Sequence, residues 1–197
     1  VFVSIGWVNN EIGVVQPLTA IKQVLREHEE KHSTKIIFHT DVGQGPLYQT
    51  LQAHTLGVDL LVLGGSKLYG PHGVSALYVS NRAELAPVIL GGGQERGLRA
   101  GTESVALAAG FAEALAQIAH ERRAEARRLG KLRNMLAEGL FAGIQGLVVN
   151  GDLQHALPHM LNISIPNIRS EYLILALDHV GIAVSTKSAC SEGETRS

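Results

Sequence analysis

Three residues of this chain stand where a reactive group would be useful: Lys67, Asp41 and Cys190. Lys67 falls within "LLVLGGSKLYGPHGVSALYV" (60–79), at the point where an apolar run gives way to two glycines and a Gly-Pro turn. A lysine reacts well as an amine nucleophile when its surroundings lower its pKa, and a site at the end of a buried strand can do that. Taken alone, Lys67 reads equally as a side chain snorkelling from a strand end. Asp41 follows the apolar segment "KIIFHT". The carboxyl ends of parallel strands face the ligand crevice of open α/β sheets. A lone aspartate there also reads as a helix cap or a loop ion pair. Gln44, three residues on, can both donate and accept hydrogen bonds.

The Asp41 and Lys67 pair suggests pyridoxal phosphate (PLP). That cofactor needs a lysine for its aldehyde carbon and an acid facing its pyridinium nitrogen. The pairing sharpens the reading without settling it, because many α/β proteins carry both residues at strand ends. Cys190 sits in "STKSACSEG". A lone cysteine is often a small buried hydrophobe, but Ser, Lys, Ala and Glu around it favour exposure. Lys187 stands three residues away, and a neighbouring cation is expected to favour the thiolate. The glycines 91–93 are a weak signal for a phosphate cradle. No metal centre is expected from the nine histidines. His120, His155 and His179 read as helix or loop surface residues. A reactive role for Cys190 stands beside the buried one.

The elements that must position these residues follow from patterning. "VFVSIGWV" (1–8) is continuously apolar or small and reads as a parallel strand buried on both faces, and 35–41 and 58–65 read as further strands. Residues 75–80 follow too soon for a helical crossover and are expected to pair antiparallel. Apolar residues near helical spacing predict an amphipathic helix over 18–32. A glycine-rich loop (90–104) ends near Thr102, a candidate N-cap. An Ala- and Leu-rich helical pattern then runs to about Ala142, interrupted by Gly110 and Gly130, as one helix or two. Three further strands are expected, in 147–151, 159–166 and 182–186. A helix over 170–181 is expected to have Ser170 as its cap and Gly181 just past its end. Strands alternating with helices imply an α/β fold with a mainly parallel sheet. A domain boundary is expected within the long helix, giving 1–122 and 123–197.

The bulk numbers remove other classes. The chain has 197 residues, 45% hydrophobic and 18% charged, with a formal net charge of -1. That supports a sizeable core and offers no electrostatic argument for nucleic acid or an anionic membrane. The basic stretch "ERRAEARRLGKLR" (121–133) reads as a solvated helix face. One cysteine forbids an intrachain disulfide framework and fits a reducing, cytoplasmic setting. No apolar stretch approaches the roughly 20 residues of a membrane span.

In order and with sensible spacing, "VNNEIGVVQP", "HTDVGQ", "GGSKLYGPHGVSALYV", "GGGQERGLRAGT", "NGD", "NISI" and "SAC" resemble the cysteine desulfurases of the NifS/IscS type. These are PLP enzymes of the aspartate-aminotransferase fold. The resemblance implies a partial large domain (1–122) and part of a small α+β domain (123–197) carrying a mobile cysteine loop. The N-terminal part and the C-terminal end of the family pattern are expected to lie outside this chain. Lys67 matches the Schiff-base lysine, and Asp41 the acid at the pyridine nitrogen. Gln44 matches the residue that hydrogen-bonds the phenolic oxygen. Asn10 matches an asparagine near the cofactor and the substrate carboxylate. Ser66 falls in the phosphate neighbourhood. Thr102 matches a threonine donated across a homodimer to the partner's cofactor phosphate. Cys190 matches the nucleophile that becomes a persulfide, which makes it a candidate sulfur carrier or iron–sulfur ligand.

The implied reaction converts L-cysteine to L-alanine. The sulfur passes from Cys190 to an acceptor or scaffold protein, in iron–sulfur cluster assembly or tRNA thiolation. The sequence departs from the family pattern at Ser66, where a histidine is usual, and at Gly64 and Gly43. Alternative implications are a non-catalytic truncated or degenerate homologue acting as a scaffold, a selenocysteine lyase, or an aminotransferase of the same fold.

Overall fold

The computed structural model describes residues 1–186. Lys187 and Cys190 lie outside the described residues. The chain divides into two compact units, one of Val1–Val8 with Val15–Glu125, the other of Asn9–Val14 with the chain from Ala126 onward.

The first unit is built on a four-stranded sheet ordered β1-β2-β3-β4, with β1 Phe2–Ser4, β2 Ile37–Asp41, β3 Leu60–Gly64 and β4 Ser75–Val79. The first three strands are parallel, and β4 returns antiparallel along β3, as its short connection requires. Side chains alternate across the sheet. Phe38 and Thr40 of β2, and Leu61 and Leu63 of β3, point to one face and are buried. Trp7, Leu18, Leu47, Leu68, Phe111 and Ile118 complete that core. On the other face Phe2 is 60% and Leu77 50% exposed, so the sheet within this unit is covered on one side.

Helix α1 spans Leu18–His32. Leu18, Ile21 and Leu25 bring its apolar stripe onto the core. It ends because Ser33 adopts φ 48, ψ 40 and donates its amide to Glu29 O, a left-handed C-cap. The short helix α2, Ala53–Leu56, was not evident from patterning, since one turn carries no periodicity. Gly45 is required by packing: a Cβ there would lie 2.6 Å from the Trp7 ring.

Helix α3 is continuous from Val105 to Gly143. Gly110 does not break it because the helix packs closely there, where a Cβ would come within 2.9 Å of Pro71. Thr102 stands three residues ahead of the first helical residue and so does not cap it.

In the second unit β5 Val148–Val149 and β6 Ile163–Ser164 form an antiparallel pair. Asn150 extends the pair by donating to Asn162 Oδ1 at 2.7 Å and Ser164 Oγ at 2.8 Å. The Asn9–Val14 segment joins this unit through Leu157 N–H to Gly13 O at 2.9 Å and a Val14–Ala156 bridge. Leu157 is fully buried. Helix α4, Ser170–His179, starts one residue earlier than a Ser170 cap requires: Arg169 is the N-cap. Gly181 just past its end has φ 81, as its place predicted. Residues 182–185 form no strand, contrary to the expectation for 182–186, and 186 is a bend.

Candidate active site

Lys67 is positioned by its backbone. β3 ends at Gly64, and the chain enters a 3-10 turn, Gly65–Lys67. Three main-chain hydrogen bonds converge on Gly65. It donates to Val74 O at 2.9 Å and accepts from Leu68 and Gly70 N–H, each at 2.9 Å. A Cβ at Gly65 would lie 2.7 Å from Pro71 O, so only glycine lets the loop close so tightly. Leu68 is fully buried and anchors the turn, while Ser66 and Lys67 project outward and are exposed. Tyr69, two residues on, is 80% exposed with φ 55, an uncommon left-handed conformation for an aromatic residue.

Asp41 is the last residue of β2 and pairs in register with Val62 of β3. Its carbonyl accepts from Trp7 N–H at 2.8 Å. Its Oδ1 accepts from Gly43 N–H at 2.8 Å, which orients the carboxylate over the turn that follows. Gln44 heads the 3-10 turn Gly45–Leu47, and its carbonyl accepts from Leu47 N–H at 3.1 Å. Cβ atoms at Gly43 and Gly64 would meet nothing within 4 Å, so there is open space beside both strand ends.

β2 and β3 are adjacent and parallel. Asp41, Gln44, Ser66 and Lys67 therefore share one edge of the sheet, at the carboxyl ends of neighbouring strands about 4.8 Å apart. Thr102 is exposed in the glycine-rich loop, and its side chain makes no hydrogen bond among the described residues. That loop is held by Ala100 N–H to Ile89 O at 3.2 Å and Gly101 N–H to Gln94 Oε1 at 3.2 Å. Asn10 lies in an exposed turn of the second unit, where its neighbour Asn9 accepts from Glu11 and Ile12 N–H at 2.9 and 3.0 Å. A groove of about 410 Å³ is lined by Tyr48, Tyr69 and the α3 residues Glu113, Gln117 and Arg122. Tyr69 belongs to the Lys67 loop, but Asp41, Gln44, Ser66 and Lys67 do not line the groove.

The amino ends of the same strands carry a charged cluster that patterning missed. Asp59, directly before β3, is 2% exposed. It accepts from Phe38 N–H at 2.9 Å, Arg26 Nη2 at 3.2 Å, Arg82 Nε at 3.1 Å and Ser80 Oγ at 3.3 Å. Glu29 completes the cluster with Arg26 Nη1 and Arg82 Nη2 at 2.7 Å each, and Ile36 N–H at 2.5 Å. Burial pushes the Glu29 carboxyl up, but the Ile36 amide and the two arginines outweigh it and hold the group below the usual carboxylate range. Burial likewise opposes the Arg26 charge, and Glu29 and Asp59 outweigh it and raise that pKa. The only signal for this cluster in the sequence is an aspartate heading an apolar strand, in "VDLLVLGG".

Also missed was an H-E-x-x-H string, His28 to His32, on α1. Its glutamate is Glu29, already engaged by both arginines, so the string lacks the free base that a zinc hydrolase needs. Among the described residues no three metal-ligating side chains converge.

The chain is similar to known proteins along nearly its whole length. The family model for aminotransferase class-V covers residues 1–196. The chain is 38% identical over 193 residues to the putative cysteine desulfurase IscS 1 of Bacillus subtilis (strain 168), covering 98% of this chain and 49% of that protein. It is 43% identical over 193 residues to the cysteine desulfurase IscS of Actinobacillus succinogenes, covering 97% and 46%. The crystal structure of a NifS-like protein from Rickettsia africae ESF-5 superposes with a TM-score of 0.83 at 31% identity, covering 95% of this chain and 50% of that one. The chain thus spans about half the length of the curated relatives it matches.

Proposed function

The chain belongs to the class-V aminotransferase family, and from that premise we propose that it forms part of a PLP-dependent cysteine desulfurase. The observation that carries the reading is the shared sheet edge. An amine (Lys67), a carboxylate (Asp41), an amide (Gln44) and a hydroxyl (Ser66) stand at the carboxyl ends of two adjacent parallel strands. This donor set fits PLP, and the open space over Gly43 and Gly64 leaves room for it.

PLP, when bound, supplies an aldehyde carbon and a protonated ring that draws electrons from a substrate amino acid. The residues of this chain hold and orient it. Lys67 Nζ would hold the aldehyde carbon and would be the group placed to move the α-proton of a substrate. The Asp41 carboxylate, fixed by the Gly43 amide, would face the ring nitrogen and favour its protonated form. Gln44 donates to the phenolic oxygen, and Ser66 to the phosphate. The roles of Asn10 near the substrate carboxylate, of Thr102 toward a partner's phosphate in a homodimer, and of Cys190 as persulfide carrier rest on the motif matches. The relatives are named for desulfuration of cysteine. We take L-cysteine as substrate and a sulfur-accepting protein as partner in the whole protein, in a cytoplasmic setting. No helix among the described residues is long and apolar enough to cross a membrane.

The test is a PLP titration of the purified chain followed by absorbance, beside Lys67→Ala. A saturable band that requires Lys67 supports the reading, as does alanine release from L-cysteine by the whole protein. A band that persists in Lys67→Ala sinks it. A second reading, a non-catalytic scaffold, is favoured by Ser66 standing where the family pattern has histidine. Binding of a sulfur acceptor without PLP uptake would select it.

A further inference from the structure

The core-facing stripe of α1 runs through Leu18, Ile21 and Leu25. Continued at helical spacing it reaches positions 28 and 32, where two apolar side chains would extend it. Two histidines stand there instead, both exposed, and their ring centroids are 4.3 Å apart at an interplanar angle of 32°.

We propose that His28 and His32 form a two-imidazole chelate for a divalent transition-metal ion on the surface of α1. Residues at i and i+4 on a helix lie one above the other, so both rings reach one point in space. Metal–nitrogen bonds of about 2.0–2.1 Å place the centroids of two rings on one ion roughly 4–5 Å apart. The observed spacing therefore needs only rotation of the rings, with no change in the helix. Imidazole suits Zn²⁺, Ni²⁺ and Cu²⁺, whereas Mg²⁺ and Ca²⁺ prefer oxygen ligands. The pair lies in the last two turns of α1, where the carbonyl end of the helix favours a cation. Lys31, beside it on the helix, works against this. Glu29 is not a third ligand, because Arg26, Arg82 and the Ile36 amide hold its carboxylate. The remaining coordination positions fall to water.

The site is independent of the PLP reading, and so is its test. Zinc chloride and nickel chloride are titrated calorimetrically into the full chain, with magnesium chloride as control, beside His28→Gln, His32→Gln and the double variant. Far-UV circular dichroism checks that each variant keeps its helix content. One ion bound per chain, at least tenfold weaker in each single variant, lost in the double variant and absent with magnesium, supports the proposal. Binding that survives in the double variant places the ion on Cys190 or another histidine and overturns it, as does the absence of saturable binding. In the unaltered chain, sub-stoichiometric Cu²⁺ should broaden the ring proton resonances of His28 and His32 before those of the other histidines. Uniform broadening of all nine would also overturn the proposal.

Discussion

Gly65 donates its amide hydrogen to Val74 O at 2.9 Å, joining the two ends of the loop that carries Lys67. This bond extends the β3–β4 ladder past its last pair, Gly64–Ser75. Lys67 is therefore carried by main chain that a neighbouring strand already orders.

Gly65→Ala should damage the site more than its size suggests. The added methyl would lie 2.7 Å from Pro71 O and 2.9 Å from Val74 Cγ1, and such overpacking costs about 1–3 kcal/mol. Urea unfolding should show that loss, and PLP uptake should weaken as well. Full PLP uptake in this variant would show that the loop can rearrange without cost to the site.

Asp41→Asn should separate chemistry from folding. The amide oxygen can still accept from Gly43 N–H, so the thermal midpoint should move by no more than a few degrees. Turnover of L-cysteine in the whole protein should fall by about 10²-fold or more, because the ring nitrogen loses its anionic partner. Unchanged turnover would remove Asp41 from the site.

Asp59→Ala should be among the most destabilising single changes. It leaves the Phe38 amide without its acceptor and strips Arg26 and Arg82 of a buried partner. Breaking a buried pair costs about 3–5 kcal/mol. The lower end is expected here, since Arg82 is 44% exposed and can recover water. Chemical denaturation of the variant measures the loss directly.

Glu29 makes stability depend on acid. Its pKa in the folded chain is below the usual carboxylate value. Its contribution is thus fully present above the unfolded value of about 4.5 and is lost as pH falls through the lower folded value. The stability gap between the unaltered chain and Glu29→Gln should be constant near neutrality and close below about pH 4.5. A gap that widens in acid would contradict the sign of this shift.

Much of this was legible in the sequence, for identifiable reasons. Residues 18–32 carry one apolar stripe, and the helix has those bounds. The short link between 65 and 75 forced the antiparallel return that β4 makes. Glycine signals were weaker guides. Gly130 lies inside α3 with the Pro158 side chain 3.8 Å from where its Cβ would be, so tertiary packing carries the helix through a poor helix former. The edge shared by Asp41 and Lys67 followed from two apolar runs ending in polar residues. The Asp59 cluster did not, because it joins residues up to 56 positions apart, Arg26 to Arg82, that no local pattern links. The histidine pair at 28 and 32 was open to a sequence reading, since "HEEKH" spaces two histidines one helical turn apart.

The closure of the Lys67 loop by main-chain bonds has an engineering consequence. Gly65, Leu68 and Gly70 do the holding, while the side chains at 66 and 67 contribute nothing to closure. Position 66 can be varied in a library without compromising the scaffold. Ser66→His, with Lys67 kept, would graft a new proton donor onto an edge whose geometry is already set.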